Sequence, residues 1–294
     1  MGIQESFINY LKYEKRCSSH TVVAYQHDLD QFVQFCADSV GEFDINKVDS
    51  KLVREWVVSL MENKLSPRSV NRKLSSVKMF FKHLMKMELI DANPVVRVPL
   101  PKVRKKLPGF VAEKNLHHLL DDGFFSKDFP GVRDKLIVEM LYGTGVRLSE
   151  LLNLNENHID LKSYQIKVTG KRNKERIIPF PRTLKPLIEE YRLLKKAQFG
   201  FEGGLLLLTD KGEPAYEKLI YRVVKTNLSK VTSLEKRSPH VLRHTYATHL
   251  LNKGADLNAV KELLGHSNLS ATEIYTHTTF EKLHRIYEQA HPRG

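Results

Sequence analysis

Apolar positions recur at helical spacing over most of the chain and alternate at one place only. Among the first hundred residues Tyr25, Leu29, Phe32 and Cys36 mark one face of a helix, with Ser18 and Ser19 just ahead as candidate caps. Ser66-Pro67 opens a second helix whose apolar stripe is Val70, Leu74, Val77, Phe81 and Leu84. The opposite face of that helix carries Arg68, Arg72, Lys73 and Lys78, and Asn93-Pro94 ends the unit. Pro99, Pro101 and Pro108 then forbid regular structure, and Arg97, Lys102, Arg104, Lys105 and Lys106 add charge with no acid among them. This stretch reads as an interdomain linker able to track a polyanion.

From about Phe110 the pattern changes. A helical segment runs through Leu136–Leu141. Tyr164, Ile166 and Val168 alternate as a strand, Gly170-Lys171-Arg172-Asn173 supplies a turn, and Arg176–Phe180 returns as a second strand. The expected fold class is mainly α, in two domains: a helical one over residues 1–98, a basic linker over 99–108, and a mostly helical one over 109–294 holding a small antiparallel sheet.

The 294 residues are 41% hydrophobic and 28% charged, as in globular chains with a proper core. Lys and Arg total 47 against 34 acids, a formal charge of +13. Such a balance draws polyanions, nucleic acid above all, although a solvated basic surface gives the same sum. Cys17 and Cys36 form no CxxC pair, and no long uncharged apolar run is present. A reduced, cytoplasmic chain without a membrane span is expected.

Four stretches carry chemistry. In GTGVRLSELLNL, residues 143–154, two glycines allow an irregular turn and Arg147 sits where a helix begins, a place suited to anions. The Gly-Lys-Ser/Thr of a P-loop is missing, so ATP use has no support. In VTGKRNKERIIP, residues 168–179, Lys171, Arg172, Lys174 and Arg176 crowd a hairpin tip, where a solvated turn is the simpler account. In residues 238–266, His240 and Arg243 share one face of a helix start. Leu242, Tyr246, Leu250 and Leu251 form its buried side and Gly254 its end. A second helix through Val260, Leu263 and Leu264 stops at Gly265 and delivers His266. His240, His244 and His249 raise the question of zinc. The HExxH glutamate, further cysteines and clustered carboxylates are all missing, so no metal is assigned. In residues 267–283, Ser270 and Glu273 have capping-box spacing, which places Tyr275 early in a short helix.

A lone tyrosine is usually structural, but this one keeps company with two arginines, two histidines and a lysine. Attack on a phosphodiester needs a nucleophile, charge on the non-bridging oxygens and a proton for the leaving oxygen. Guanidinium groups bind phosphate as a fork and stay charged at any working pH. A phenol that attacks phosphorus stores the bond energy in a covalent ester, which a rejoining enzyme needs and a hydrolase does not.

With these residues in view, the sequence resembles the tyrosine recombinases, and within them the bacterial Xer group. The resemblance is strongest in SPHVLRHTYATHLLNKGADLNAVKELLGHSNLSATEIYTH and spans almost the whole chain. It implies that Arg147, Lys171, His240, Arg243, His266 and Tyr275 are catalytic, with Tyr275 the nucleophile and Lys171 the proton donor to the leaving 5′ oxygen. Arg172 stands where many relatives have glycine. The resemblance further implies a SAM-like helical domain that binds DNA and a catalytic domain of the DNA breaking-rejoining fold. It implies a 3′-phosphotyrosyl intermediate and a Holliday junction, without ATP, metal or other cofactor. Double-stranded DNA is the expected partner, contacted by Arg68, Arg72, Lys73, Lys102, Arg104, Lys105, Lys106 and Arg172. A tetramer on paired sites, homomeric or with a related protomer, and a cell-division DNA translocase complete the expected partners. Leu283, Ile286 and Tyr287 form a terminal stripe expected to dock on a neighbouring subunit. The expected task is chromosome-dimer resolution. Integration or inversion of a mobile element, relaxation of the type IB topoisomerase kind, and DNA binding without catalysis are the competing readings.

Overall fold

The computed structural model describes residues 2–103, 109–121, 123–170, 175–200, 202–265 and 286–293. The chain divides into two compact units, Met1–Lys106 and Leu107–Gly294. No described helix is long and apolar enough to cross a membrane.

The first unit is helical: α1 (Ile3–Asn9) runs into a π-helical turn, followed by α2 (Ser19–Val40), α3 (Ser50–Glu62) and α4 (Pro67–Lys86). Its starts are chemically marked. Ser18, Asp49 and Ser66 each accept a backbone N–H of the first turn, and Pro67 fills the position where a missing N–H costs nothing. Each cap contributes about 1 kcal/mol. The stripes predicted on α2 and α4 face each other, and Leu29, Phe32, Cys36, Val70, Leu74, Val77, Phe81 and Leu84 are all buried. Trp56 from α3 meets Phe32 edge-on with ring centroids 4.9 Å apart. Val95 and Val98 extend this core beyond α4. Cys17 and Cys36 are unpaired, and burial pushes the Cys36 thiol up to about 11.

The second unit is built around α6 (Phe129–Thr144), which follows α5 (Glu113–Asp121). Every residue of α6 from Leu136 to Thr144 is buried, so this half of the helix has no exposed face. Then come α7 (Leu148–Leu152), β1 (Ile159–Asp160), β2 (Gln165–Thr169), β3 (Glu175–Pro179), α8 (Leu184–Phe199), α9 (Glu217–Ser229), α10 (Pro239–Asn252) and α11 (Leu257–Leu264). The sheet is antiparallel in the order β1-β2-β3, with Ile166 opposite Ile178 and Val168 opposite Arg176. The two longer strands match the alternation in the sequence, while β1 is an addition. Period-two alternation turns Ile166, Val168, Arg176 and Ile178 inward. Leu242, Tyr246 and Leu250 are buried as expected, but Leu251 is 38% exposed, at the edge of the α10 stripe.

In this single chain Ile286 and Tyr287 pack on the core of the chain's own second unit. The Tyr287 hydroxyl donates to the Gly143 carbonyl at 2.8 Å, and Arg293 pairs with Glu139 and Asp121. Leu283, the third residue of that stripe, lies outside the described residues.

Candidate active site

The turn between α6 and α7 is set by Gly145, whose φ of +61° belongs to the left-handed region that side chains resist. A Cβ there would stand 2.5 Å from Cδ1 of Tyr246, so backbone and ring touch directly. Two residues on, Arg147 is the N-cap of α7. Its backbone N–H donates to Oε2 of Glu150 at 2.8 Å, and its Nη1 donates to Oε1 at 2.9 Å. Its Nη2 crosses to the carbonyl of Gly265 at 2.8 Å.

Arg243, early in α10, donates from Nη1 to the Gly145 carbonyl and from Nη2 to the Leu264 carbonyl, the latter at 2.6 Å. Leu264 and Gly265 close α11, where the last carbonyls have no partner inside the helix and carry the negative end of its dipole. The two arginines therefore answer a need of the fold and are brought together by it.

A third guanidinium lies behind them. Arg176 is inward-facing on β3, shares parity with Ile178, and is 8% exposed. It grips Glu150 with both forks, Nη1 to Oε1 at 2.5 Å and Nη2 to Oε2 at 2.8 Å. Burial alone would raise the Glu150 carboxyl. Hydrogen bonds from Arg176 and from the Arg147 backbone, with the Arg176 charge, outweigh that and hold it below the ordinary carboxylate range. Burial, then the charges of Arg147 and Arg176, push Arg243 down to about 10. It stays cationic at neutral pH, in a cluster where positive charge exceeds what Glu150 neutralises. Such a cluster attracts anions, and guanidinium groups can bind a tetrahedral phosphate.

His240 lies in the first turn of α10, exposed to solvent. His249, weighed as a metal-ligand companion for it, is instead in the core, with Nδ1 3.0 Å from the Tyr142 hydroxyl. Lys171, His266, Tyr275 and Arg172 lie outside the described residues, as do Arg104, Lys105 and Lys106.

On α4, Arg68 is exposed, as is Lys102 beyond that helix. Lys73 is not the surface base that its place in the sequence suggested. It is 6% exposed, and its Nζ donates to Asp28, itself fully buried, at 3.0 Å. Arg72 chelates the same carboxylate while remaining half exposed. A charge left alone at Asp28 would be far costlier than a lysine withdrawn from the surface.

The sequence reading missed Glu150 and misplaced Arg176. Both had a signal: Glu150 is three residues after a helix N-cap, and Arg176 is two before Ile178 on a strand with one buried face.

Residues 110–282 match the phage integrase family, and residues 5–88 match the phage integrase N-terminal SAM-like domain. The chain is a Xer-like tyrosine recombinase of the phage integrase family. Its activity is site-specific strand exchange by tyrosine transesterification. The chain is 38% identical to tyrosine recombinase XerC of Chlorobaculum tepidum, covering 98% of this chain and 94% of that protein. It is 40% identical to tyrosine recombinase XerC of Oceanobacillus iheyensis, covering 99% and 96%. In fold it is similar to the Tn1549 transposon integrase in complex with transposon right end DNA, with a TM-score of 0.74 and 21% identity over 96% of this chain and 98% of that one. It is also similar to the XerH site-specific recombinase bound to palindromic difH substrate, with a TM-score of 0.72 and 21% identity over 96% and 83%.

Proposed function

We propose that this recombinase cuts one strand of duplex DNA with Tyr275 and rejoins it to another through a 3′-phosphotyrosyl intermediate and a Holliday junction. The observation that carries the reading is the convergence of Arg147 and Arg243 on the carbonyls of Leu264 and Gly265, one residue before His266 in the chain. Their free guanidinium edges are suited to the two non-bridging oxygens of a scissile phosphate, and to the charge that grows there as the phosphorane forms. The Tyr275 phenol loses its proton to solvent as its oxygen bonds to phosphorus, the bond to the 5′ oxygen breaks, and Lys171 gives that oxygen a proton. Attack by a 5′ hydroxyl from the partner strand reverses each step and frees the phenol. His240 and His266 complete the set by resemblance. No external energy source enters, because one phosphodiester is exchanged for another.

Duplex DNA as partner is supported by the charge of +13 and by the DNA held in the solved Tn1549 integrase and XerH complexes. We place both units on it, with Arg68 and the linker bases Lys102, Arg104, Lys105 and Lys106 on phosphates. We further propose that it resolves chromosome dimers in the cytoplasm, as a tetramer on paired sites and in concert with a cell-division translocase; likeness to relatives named tyrosine recombinase XerC supports the Xer-like part of this reading.

The test is a nicked duplex that loses a short fragment on cleavage. Wild type should accumulate a covalent adduct that maps to Tyr275, and Tyr275→Phe should bind equally well and trap nothing. An adduct formed by the Phe variant would overturn the assignment. Relaxation of supercoils without exchange between paired sites would favour the topoisomerase reading instead.

A further inference from the structure

We infer that Arg176 is a positioning residue for strand cleavage, acting on the scissile phosphate through Glu150 and Arg147. The inference rests on the proposed function and assigns a role to a residue outside the set of six.

Three observations carry it. First, Arg176 makes a two-point fork with Glu150 and adds a longer bond from Nε to the Leu263 carbonyl at 3.4 Å. It thus ties β3, the start of α7 and the end of α11 to one planar group. Second, the carboxylate it fixes is the one that receives both the backbone N–H and the Nη1 of Arg147. With both oxygens of Glu150 pinned by Arg176, Arg147 has one orientation in which its own bonds are met. Third, the contact is backbone-tight. A Cβ on Gly265 would lie 3.0 Å from the Arg176 Nε, so Gly265, whose carbonyl holds Arg147, packs closely against the Arg176 side chain.

Lysine can keep the charge of Arg176 but cannot reproduce a planar fork. Reactions at phosphorus are sensitive to misplacement of about 1 Å, which costs on the order of a hundredfold in rate. The orienting role therefore separates from a role in folding.

The experiment uses full-length protein and the nicked substrate at saturating DNA, reading the single-turnover rate of adduct formation. Arg176→Lys should bind duplex within about twofold of wild type and cleave on the order of a hundredfold slower. Combined with Arg147→Ala, it should be no slower than Arg147→Ala alone, because the two act as one unit. Multiplied losses in that double variant, or wild-type cleavage by Arg176→Lys, would overturn the inference. Should Arg176→Lys fold poorly, the double variant Glu150→Met, Arg176→Met replaces the buried pair by apolar side chains, a change that is often neutral for stability. It should melt near wild type and still cleave slowly; rapid cleavage would show that the pair only holds the fold. Failure of the underlying recombinase reading looks different, since wild type itself would then form no adduct.

Discussion

Arg243 and Arg147 donate to the carbonyls of two consecutive residues, Leu264 and Gly265, at 2.6 and 2.8 Å. Two catalytic candidates almost a hundred positions apart are therefore registered on the last turn of α11. The Gly145 carbonyl supplies the second anchor of Arg243. Gly145→Ala puts a Cβ against Tyr246 and a side chain at positive φ, which alone costs about 1–2 kcal/mol. Thermal unfolding should register that loss, and single-turnover cleavage should fall at least tenfold, on the order expected for a displaced charge. Wild-type cleavage by Gly145→Ala would mean that this turn does not hold Arg243.

Lys73 and Arg68 lie on one helix and should separate cleanly. Lys73→Met removes a donor from the buried Asp28 carboxylate and should destabilise the first unit by about 2 kcal/mol. The chain's single tryptophan, Trp56, is in that unit's core, so its fluorescence in a urea titration reports the loss. The salt dependence of DNA binding should not change. Arg68→Ala should do the reverse, leaving the urea midpoint in place and reducing the log–log salt slope by about 0.9. A changed salt slope for Lys73→Met would return Lys73 to the DNA-contact set.

These contrasts show what a sequence can and cannot carry. The stripes of α2 and α4, the caps at Ser18 and Ser66, and the ends of α10 and α11 were legible because each is local, resting on spacing or on one residue's conformational preference. The burial of Lys73 was not, and for Arg176 strand parity told the face but not the partner, because the acid that a buried base pairs with lies far along the chain. Asp28 lies 45 positions from Lys73, and Glu150 lies 26 from Arg176. Strand β1 has two residues, too few for a period to show. Of α6 only the apolar run Leu136–Leu141 was legible, and its start at Phe129 was not. Of the candidate site, Arg147 was legible from a glycine turn before a helix, whereas Glu150, which receives its backbone N–H and its Nη1, went unnoticed.

His291 makes the docking of the terminal segment pH-dependent. Its Nδ1 accepts the Arg293 backbone N–H at 3.1 Å and its Nε2 lies 3.3 Å from the Tyr142 carbonyl, an arrangement that suits the neutral ring. Burial pushes its pKa down from 6.5 to about 3. Between these values the unfolded chain takes a proton that the folded chain refuses. The contribution is therefore full above pH 6.5 and is lost as pH falls toward 3. His291→Phe lacks this titration, so the stability gap between wild type and variant should narrow as pH falls from 7 to about 4. A gap that stays constant over that range would sink the idea.

Lys171 should act as the general acid for the leaving 5′ oxygen, with His240 as its rival. An alkoxide is a poor leaving group and needs a proton as its bond to phosphorus breaks. A thiolate does not, since thiols ionise near ~8.5 whereas alcohols resemble water at about 15.7. A substrate with sulfur at the bridging 5′ position should bypass the acid. Lys171→Ala should be slow on ordinary DNA and largely restored on the sulfur substrate. Arg243→Ala should stay slow on both, because its guanidinium is anchored to Gly145 and Leu264 to serve the non-bridging oxygens. His240, exposed in the first turn of α10, is tested by the same pair of substrates. Rescue of His240→Ala without rescue of Lys171→Ala would exchange the two roles. Rescue of neither would show that proton transfer is not the step these residues assist.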